Sequence, residues 1–320
     1  MRKGQNPAKF ISNVEKPQKI TVAVLTFIPF LSGFYSGTLE VLKACLESIR
    51  VNTDLPYDLM IFDNGSGHEA TEYLMEQQRL GRIQYLLLSG KNLGKGGAWN
   101  IVFGAAPGEI IAFTDSDALF SPGWLSKSVE LLETFPHVGM VTSRPFRTPE
   151  EYFSATIKWA SEDPRARLER GSFIPWEVFR DFDLSLGQRQ EEIRARYETT
   201  ADYRLTYRGL AAHAGASHWQ FVGYKRRLLE FVPFDMDRPM GQVRQLDQRV
   251  NEAGYLRLMT PEPLAMNMSN RVETGEPTVP DASHAPRRRL GVKSAVLRQP
   301  LVKRMLLRIY DQIFRWYYDS

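Results

Sequence analysis

Two carboxylates one residue apart follow an apolar stretch of the chain. Thr114-Asp115-Ser116-Asp117 comes directly after EIIAF, a segment typical of a buried strand. In an open parallel sheet, ligands bind beyond the carboxyl ends of the strands, and both acids can face that crevice if the backbone kinks. Two acids so close together repel each other, which favours a divalent cation between them. For this motif alone, an ordinary polar turn after a strand remains the alternative.

Another polar segment ends an earlier apolar stretch. Asp63-Asn64-Gly65-Ser66 follows DLMIF and has the composition of a turn that can also cap the next helix. The Asp63 carboxylate can accept hydrogen bonds from a nucleobase such as uracil. Taken alone, this segment is a common turn.

A glycine-rich segment follows the next predicted strand. Residues 92–100, NLGKGGAWN, open a helix whose N-terminus favours anions, and the glycines permit close approach of the backbone to a ligand. The segment is neither a Walker A loop nor a G-x-G-x-x-G fingerprint, because Trp99 occupies the last glycine position.

Strand and helix patterns alternate along the first half of the chain. ITVAVLTF, DLMIF, IQYLLL and EIIAFTD predict strands, and TLEVLKACLESIR, EATEYLMEQQ and residues 98–103 predict helices. This alternation indicates an α/β domain with a mostly parallel sheet. It stops after residue 141, and residues 147–212 are expected to be helical or irregular. A helix from Gln242 to Ala253 and a strand at YLRLM are predicted further on.

Composition indicates a folded protein and locates its basic charge. The chain has 320 residues, 43% hydrophobic and 24% charged, and a formal net charge of +4. Residues 287–320 contain nine Lys or Arg and two Asp, so they carry +7 and the remaining chain carries −3. A protein that binds nucleic acid would be expected to be basic over its folded part, so this distribution argues against that class.

Cysteine content and the N-terminal segment bear on the cellular compartment. The single cysteine, Cys45, excludes an intramolecular disulfide and a cysteine-ligated metal cluster, and its helical neighbours predict a buried core position. The basic N-terminus is not followed by the apolar core of a signal peptide, and residues 20–31 are too few to span a bilayer. We therefore expect a cytoplasmic protein without a membrane span.

The basic C-terminal segment predicts one or two amphipathic helices. Apolar residues recur between arginines at near-helical spacing: Leu297, Leu301, Met305, Ile309, Ile313 and Trp316. Such a helix can lie on an anionic surface, which would give peripheral contact at the inner face of a membrane. It can equally pack on the rest of the chain, and both alternatives remain open.

The polar segments together resemble a known family. TVAVLTF, IFDNGS, NLGKGGAWN and IIAFTDSDALFSPGWL are similar to glycosyltransferase family 2 in order, spacing and content. The resemblance covers residues 20–145, thins through 146–215 and returns in LDQRVNEAGYLRLMTPEP. It implies a GT-A fold, in which helices flank a mostly parallel, Rossmann-like sheet. The regions it implies are an N-terminal arm (1–19), a nucleotide-sugar-binding half (20–145), an acceptor-binding half (146–272) and a linker with a basic helical tail (273–320).

The resemblance also implies which residues bind the nucleotide of the donor. Thr26 and Asp63 would hold the nucleobase, and Asn92 and Gly94 would border the nucleotide. A UDP-sugar is the favoured donor, with a saccharide or glycoconjugate as acceptor.

A second set of residues would hold the donor diphosphate. Asp115 would reach the ribose or the metal, with Ser116 beside it, and Asp117 would hold Mn²⁺ or Mg²⁺. Many relatives complete the metal shell with a histidine, where this chain has Asn267. An asparagine can ligate a hard cation through its carbonyl oxygen, but more weakly.

The family usually places a catalytic carboxylate before the helix end that resembles NEAGY. The stretch QVRQLDQR contains one acid, Asp247, which the resemblance makes the general base. The alternative is a solvated residue paired with Arg244 or Arg249. His213 and His218 lack the spacing of a zinc protease, and we expect them on a polar loop or in the acceptor region.

These features predict an inverting glycosyltransferase that moves a sugar from a nucleoside-diphosphate sugar to an acceptor hydroxyl, in bacterial-type polysaccharide or glycoconjugate synthesis. One alternative is a sugar nucleotidyltransferase. It would carry a glycine-rich loop after the first strand, where this chain has Thr26-Phe27-Ile28-Pro29. The other alternative is a catalytically inactive nucleotide-binding or scaffold protein on the same fold, which the atypical Asp247 and Asn267 positions keep open.

Overall fold

The computed structural model of the chain describes residues 4–237 and 243–271, and ten strands of this part form one sheet. The strands in chain order are β1 (Ile20–Thr26), β2 (Asp58–Asp63), β3 (Tyr85–Leu88), β4 (Ile110–Asp115), β5 (Ala118–Phe120), β6 (Val138–Thr142), β7 (Ala166–Gly171), β8 (Asp202–Tyr207), β9 (Leu210–Ala214), β10 (Gln220–Tyr224), β11 (Leu256–Met259) and β12 (Ala265–Asn267). The α-helices are α1 (Thr38–Asn52), α2 (His68–Arg79), α3 (Gly94–Ala105), α4 (Trp124–Thr134), α5 (Ser154–Glu162), α6 (Trp176–Ser185), α7 (Gln190–Thr199), α8 (Lys225–Leu228) and α9 (Val243–Glu252).

The strand order of the large sheet is β3-β2-β1-β4-β10-β6-β11-β9-β8-β7. The pairs β3–β2, β2–β1, β1–β4 and β6–β11 are parallel, and the other pairs are antiparallel. Followed across the sheet, these pairings make seven of its ten strands run in one direction, with β7, β9 and β10 opposed. The predicted α/β class, with a mostly parallel sheet flanked by helices, is confirmed. β5 and β12 form a separate antiparallel pair.

The parallel part of the sheet is buried on both faces. Val22 and Val24 of β1 belong to one apolar cluster that includes residues of α1, α2 and α4, and Ala23 and Leu25 belong to another that includes Trp99 of α3. A strand covered on both sides reads as a continuous apolar run, because neither face can carry polar residues. This is why ITVAVLT was recognisable as a strand from the sequence.

The second half of the sheet was less visible in the sequence. Residues 147–212 were expected to be helical or irregular, and α5, α6 and α7 meet that expectation, but β7, β8 and β9 do not. The polar sequence of β8 pairs with β7, and the Arg204 guanidinium donates to Glu169 across the pair at 3.1 Å. Leu205 and Tyr207 are buried, whereas Tyr203 and Thr206 are half-buried, so the alternation of this strand is weak.

Other predictions outside the site have mixed outcomes. Cys45 is buried within α1, as expected, and burial raises the pKa of its thiol. The part of the N-terminal arm from residue 4 is exposed and contains a short 3₁₀ helix, Pro7–Phe10. In the described part of the chain, every helix is too short or too polar to cross a membrane. The predicted linker and basic tail lie outside the described residues.

Candidate active site

The ends of four strands meet at one edge of the sheet. β1 and β2 pair so that Thr26 lies opposite Asp63, and β4 ends at Asp115 on the other side of β1. The antiparallel β10 begins at the same edge, with Gln220 opposite Thr114. The parallel register therefore brings polar residues from separate sequence motifs to one crevice, which is where ligands bind in open α/β sheets.

Asp63 and Thr26 are buried polar residues with unpartnered oxygens. Oδ2 of Asp63 accepts a hydrogen bond from the backbone N–H of Ser66 at 3.0 Å. Oδ1 of Asp63 and Oγ1 of Thr26 have no hydrogen-bond partner within residues 4–237 and 243–271. Burial raises the pKa of Asp63 above its ordinary value, because the carboxylate loses its hydration. Since an unpartnered buried polar atom is costly, both oxygens are suited to hydrogen bonds with a ligand.

Asn64 joins the turn after β2 to the loop before α3. Its Nδ2 donates to Oδ1 of Asn92 at 3.0 Å and to the carbonyl oxygen of Gly94 at 3.3 Å. Its Oδ1 accepts from the N–H of Leu93 at 2.9 Å, and Oδ1 of Asn92 accepts from the N–H of Gly94 at 2.8 Å. From the sequence, Asn64 was expected only to form a turn, because its partners lie in another motif.

The two loops approach so closely that one position must be glycine. Gly65 has φ +89°, and a Cβ built on it would lie 2.8 Å from the carbonyl carbon of Lys91 and 2.9 Å from the backbone nitrogen of Asn92. Backbone atoms cannot move aside as a flexible side chain can. The DNGS turn and the NLG loop therefore form one packed wall of the crevice.

Lys95 is a buried cation that sequence analysis did not assign to the site. It lies in the first turn of α3, and its Nζ donates to Oδ2 of Asp115 at 2.5 Å. Its ammonium group also lies 5.4 Å from the ring centroid of Trp99 and 5.7 Å from that of Phe113. A lysine within a glycine-rich loop at the start of a helix was the available signal.

Asp117 lies two residues beyond Asp115 and faces Asn267. The pairing of β5 with β12 places Asn267 opposite Ala118, and the N–H of Met268 donates to the carbonyl oxygen of Asp117 at 2.8 Å. Nδ2 of Asn267 lies 3.4 Å from Oδ2 of Asp117, while Oδ1 of Asn267 accepts from the N–H of Ser269 at 2.7 Å. The amide nitrogen therefore faces Asp117, and ligation of a cation through Oδ1 would require the amide to turn.

The environment of Asp117 is unfavourable for an unpaired carboxylate. Oδ1 of Asp117 is buried and has no hydrogen-bond partner in the described part of the chain. Burial, and then the nearby Asp115 carboxylate, raise the pKa of Asp117 to about 7, against the effect of Lys95. Ser116 is half-buried between the two acids. The described residues contain no cluster of three or more His, Cys, Asp or Glu, so a cation here would rely on the two carboxylates, Asn267 and the donor phosphates.

Asp247 is buried in α9 with both carboxylate oxygens engaged. Oδ1 accepts from Nη2 of Arg257, a fully buried guanidinium, and Oδ2 lies 2.7 Å from Nδ1 of His218. The alternative of a solvated residue paired with Arg244 or Arg249 is wrong, since Asp247 has these other partners. Within residues 4–237 and 243–271, Asp247 makes no hydrogen bond to the residues at the ends of β1, β2 and β4.

His218 connects Asp247 to the end of β4. The backbone carbonyl of its neighbour, Trp219, accepts from the N–H of Asp115 at 2.8 Å, and the His218 ring lies 6.5 Å from that of Trp99. His213, by contrast, is buried in β9, and its Nδ1 is 3.6 Å from Oδ1 of Asp202. His218 was expected in a loop or the acceptor region, and the pattern of its neighbours carried no signal of the contact with Asp247.

Comparisons with known proteins agree with the motifs. The family model described as glycosyl transferase family 2 matches residues 34–205. An uncharacterized glycosyltransferase of Nostoc sp. is 30% identical over 100 residues, and the match covers 31% of each chain. This chain thus spans about a third of the length of that relative.

Solved glycosyltransferases are similar at low identity. A mannosyltransferase from Pyrobaculum calidifontis, solved with GDP-Man and Mn²⁺, is 19% identical with a TM-score of 0.45, covering 78% of this chain and 55% of its own. S. aureus TarS 1–349 is 12% identical with a TM-score of 0.45, covering 78% of this chain and 60% of its own. Because the family model matches more than half of the chain and its motifs lie at the strand ends where they were predicted, the chain belongs to glycosyltransferase family 2.

Proposed function

We propose that this chain is an inverting glycosyltransferase that moves a sugar from a nucleoside-diphosphate sugar to an acceptor hydroxyl. The observation that carries the proposal is a row of buried oxygens at neighbouring strand ends that have no partner among the described residues: Oγ1 of Thr26, Oδ1 of Asp63 and Oδ1 of Asp117. The first two suit a nucleobase, and the third, beside Asp115, suits a cation on a diphosphate. Membership of the family supports the same reaction class.

A UDP-sugar is the donor that these groups favour. A carboxylate accepts hydrogen bonds only, and a threonine hydroxyl can donate or accept. Oδ1 of Asp63 and Oγ1 of Thr26 could therefore pair with the N–H and a carbonyl oxygen of uracil. Asn92 and Gly94, held by Asn64, would border the rest of the nucleotide.

The proposed reaction needs a proton acceptor and a stabilised leaving group. The acceptor hydroxyl would lose its proton to a base at the Asp247 end of the crevice, and its oxygen would attack the anomeric carbon opposite the diphosphate, which inverts the configuration. Asp115, Asp117 and, after its amide has turned, Asn267 would hold Mn²⁺ or Mg²⁺, which as a Lewis acid would stabilise charge on a departing diphosphate. Lys95 would add positive charge beside Asp115.

The acceptor and the cellular setting are further parts of the proposal. The resemblance favours a saccharide or glycoconjugate acceptor and a role in bacterial-type polysaccharide or glycoconjugate synthesis at the inner face of the membrane. Liposome flotation of the full chain, compared with a chain truncated after Pro286, tests the membrane part. Equal flotation of the two chains would show that the C-terminal tail does not mediate membrane binding.

A catalytically inactive nucleotide-binding protein is a second candidate. The observation that favours it is the engagement of both Asp247 oxygens, each of which already has a protein partner. Such a protein would bind the nucleotide through the same crevice but would not turn over the donor.

Donor binding and donor turnover separate the two candidates. Thermal unfolding with UDP-, GDP- and dTDP-sugars in Mn²⁺ should show the largest stabilisation by a UDP-sugar, since a ligand that binds the folded state stabilises it. Release of UDP from that donor, measured with Asp117→Asn as the control, should occur in the wild type and be lost in the variant. Stabilisation without any turnover would favour the inactive protein, and stabilisation by no nucleotide would contradict both candidates.

A further inference from the structure

We propose that His218, not Asp247, takes the proton from the acceptor hydroxyl and that Asp247 positions His218. This inference rests on the proposed glycosyl transfer and identifies the base of that same site. It starts from a chain of three side chains contributed by separate elements, Arg257 of β11, Asp247 of α9 and His218 of the loop between β9 and β10.

Asp247 is poorly placed to accept a proton itself. One oxygen accepts from the buried Arg257, whose guanidinium also donates to the carbonyl oxygens of Tyr152 at 2.5 Å and Ala216 at 2.6 Å. The other oxygen is 2.7 Å from Nδ1 of His218. Both oxygens of this carboxylate therefore already have protein partners before an acceptor hydroxyl arrives.

His218 has a ring nitrogen, Nε2, without a partner among the described residues, whereas both oxygens of Asp247 have partners. If Nδ1 carries the proton donated to Asp247, Nε2 is left with a lone pair. Nε2 makes no hydrogen bond to the described residues, and the side chain is 26% exposed. Because the Asp247 oxygens are acceptors, the pairing selects the Nδ1–H form and leaves Nε2 as the basic atom.

The loop that carries His218 also contacts the donor side. The Trp219 carbonyl accepts from the N–H of Asp115, and the His218 ring contacts Trp99, over which the Lys95 ammonium lies. A base must lie near both the acceptor hydroxyl and the anomeric carbon. Attachment of this loop to the end of β4 holds His218 near the edge of the sheet where the donor is proposed to bind.

The step balances without a further reactant. The acceptor O–H bond breaks and its proton moves to Nε2 of His218, while the acceptor oxygen forms a bond to the anomeric carbon. The bond from that carbon to the diphosphate oxygen breaks, and the nucleoside diphosphate leaves with the electron pair. The imidazolium that results is held by the Asp247 carboxylate and later releases its proton to solvent.

The variant His218→Asn separates catalysis from structure. The asparagine Nδ2 occupies the place of the histidine Nδ1 and can still donate to Asp247, but no atom replaces Nε2. We expect single-turnover transfer to fall by about 10²–10⁴-fold, with donor affinity unchanged within about threefold. His137→Asn is the matched control, because His137 is exposed at the amino end of β6, and its φ of +52° suits asparagine. This control should transfer normally.

A measurement that needs no turnover tests the same assignment. Nitrogen-15 NMR of histidine-labelled protein should find neutral His218 protonated on Nδ1, with this preference weakened in Asp247→Asn. Near-normal transfer by His218→Asn, or protonation of neutral His218 on Nε2, would overturn the assignment and leave glycosyl transfer intact. Absence of transfer by the wild type with every donor and acceptor tried would instead overturn the proposed function, and the base with it.

Discussion

Two regions of the crevice hold their carboxylates in different ways. On the proposed donor side, Asp63 and Asp117 each have a buried oxygen without a partner in the described part of the chain, and the pKa of both is raised. On the proposed acceptor side, Asp247 is buried too, but Arg257 and His218 contact its two oxygens. On this proposal, the donor side is completed by its ligand, whereas the acceptor side is preorganised by the protein alone. Removing an acid should therefore have opposite effects on stability in the two places.

The largest expected effect is on the acceptor side. Asp247→Asn leaves the buried Arg257 without its anionic partner, and loss of one member of a buried ion pair typically costs about 3–5 kcal/mol. Urea unfolding should show the free energy of unfolding reduced by about this amount. The control is Glu252→Gln on the same helix, where the side chain is exposed and a change within about 0.5 kcal/mol is expected. Equal stability of the Asp247 and Glu252 variants would contradict the claim that the protein itself preorganises Asp247.

The next largest effect on stability is expected where the DNGS turn packs against the NLG loop on the proposed donor side. Gly65→Ala brings a Cβ within 2.8 Å of the Lys91 backbone at φ +89°, so we expect a loss of about 2–3 kcal/mol in the free energy of unfolding and weaker nucleotide binding. Gly81→Ala is matched in sign of φ, +71°, but meets no atom within 4 Å. Its cost should be about 1 kcal/mol, with nucleotide binding unchanged. If both variants lose the same stability, the close approach of the two loops contributes nothing.

The smallest expected effect is a gain in the free energy of unfolding, caused by removing the charge of Asp117. The pKa of Asp117 is about 7 in the folded chain, against an ordinary 3.8, so the folded state favours the protonated acid. This contribution to stability is complete below about pH 4 and is lost as the pH rises through about 7. Without metal, Asp117→Asn should therefore be more stable than the wild type by about 1–3 kcal/mol at about pH 8, and equal to it near about pH 4. Thermal unfolding in EDTA across this range measures the difference, and a variant less stable at the higher pH would contradict it.

The donor side was accessible from the sequence because each of its residues follows a recognisable strand. Thr26, Asp63 and Asp115 end strands whose apolar runs reflect burial on both faces, and parallel pairing necessarily brings such ends to one edge. The ion pair between Lys95 and Asp115 and the bridging role of Asn64 could not be predicted from the sequence. Both depend on how a loop packs against its neighbour.

On the proposed acceptor side, only Asp247 could be predicted from the sequence. Asp247 was found by resemblance, but its partners His218 and Arg257 lie in segments whose contact depends on the packing of α9 against β11 and on the loop before β10. No local pattern of residues encodes such a contact. The strands β7 and β8 were missed because their polar sequences alternate weakly, and β9 was missed because it is a short, alanine-rich segment.

Calorimetric titration of the wild type and Asp117→Asn with UDP, in Mn²⁺ and in EDTA, tests the proposed metal-dependent donor site most directly. We expect Mn²⁺ to strengthen UDP binding by the wild type by about tenfold or more, and Asp117→Asn to lose this gain but keep its affinity in EDTA. Equal affinity of the wild type in Mn²⁺ and EDTA, or a Mn²⁺ gain that survives in the variant, would contradict a metal-dependent donor site at the end of β4.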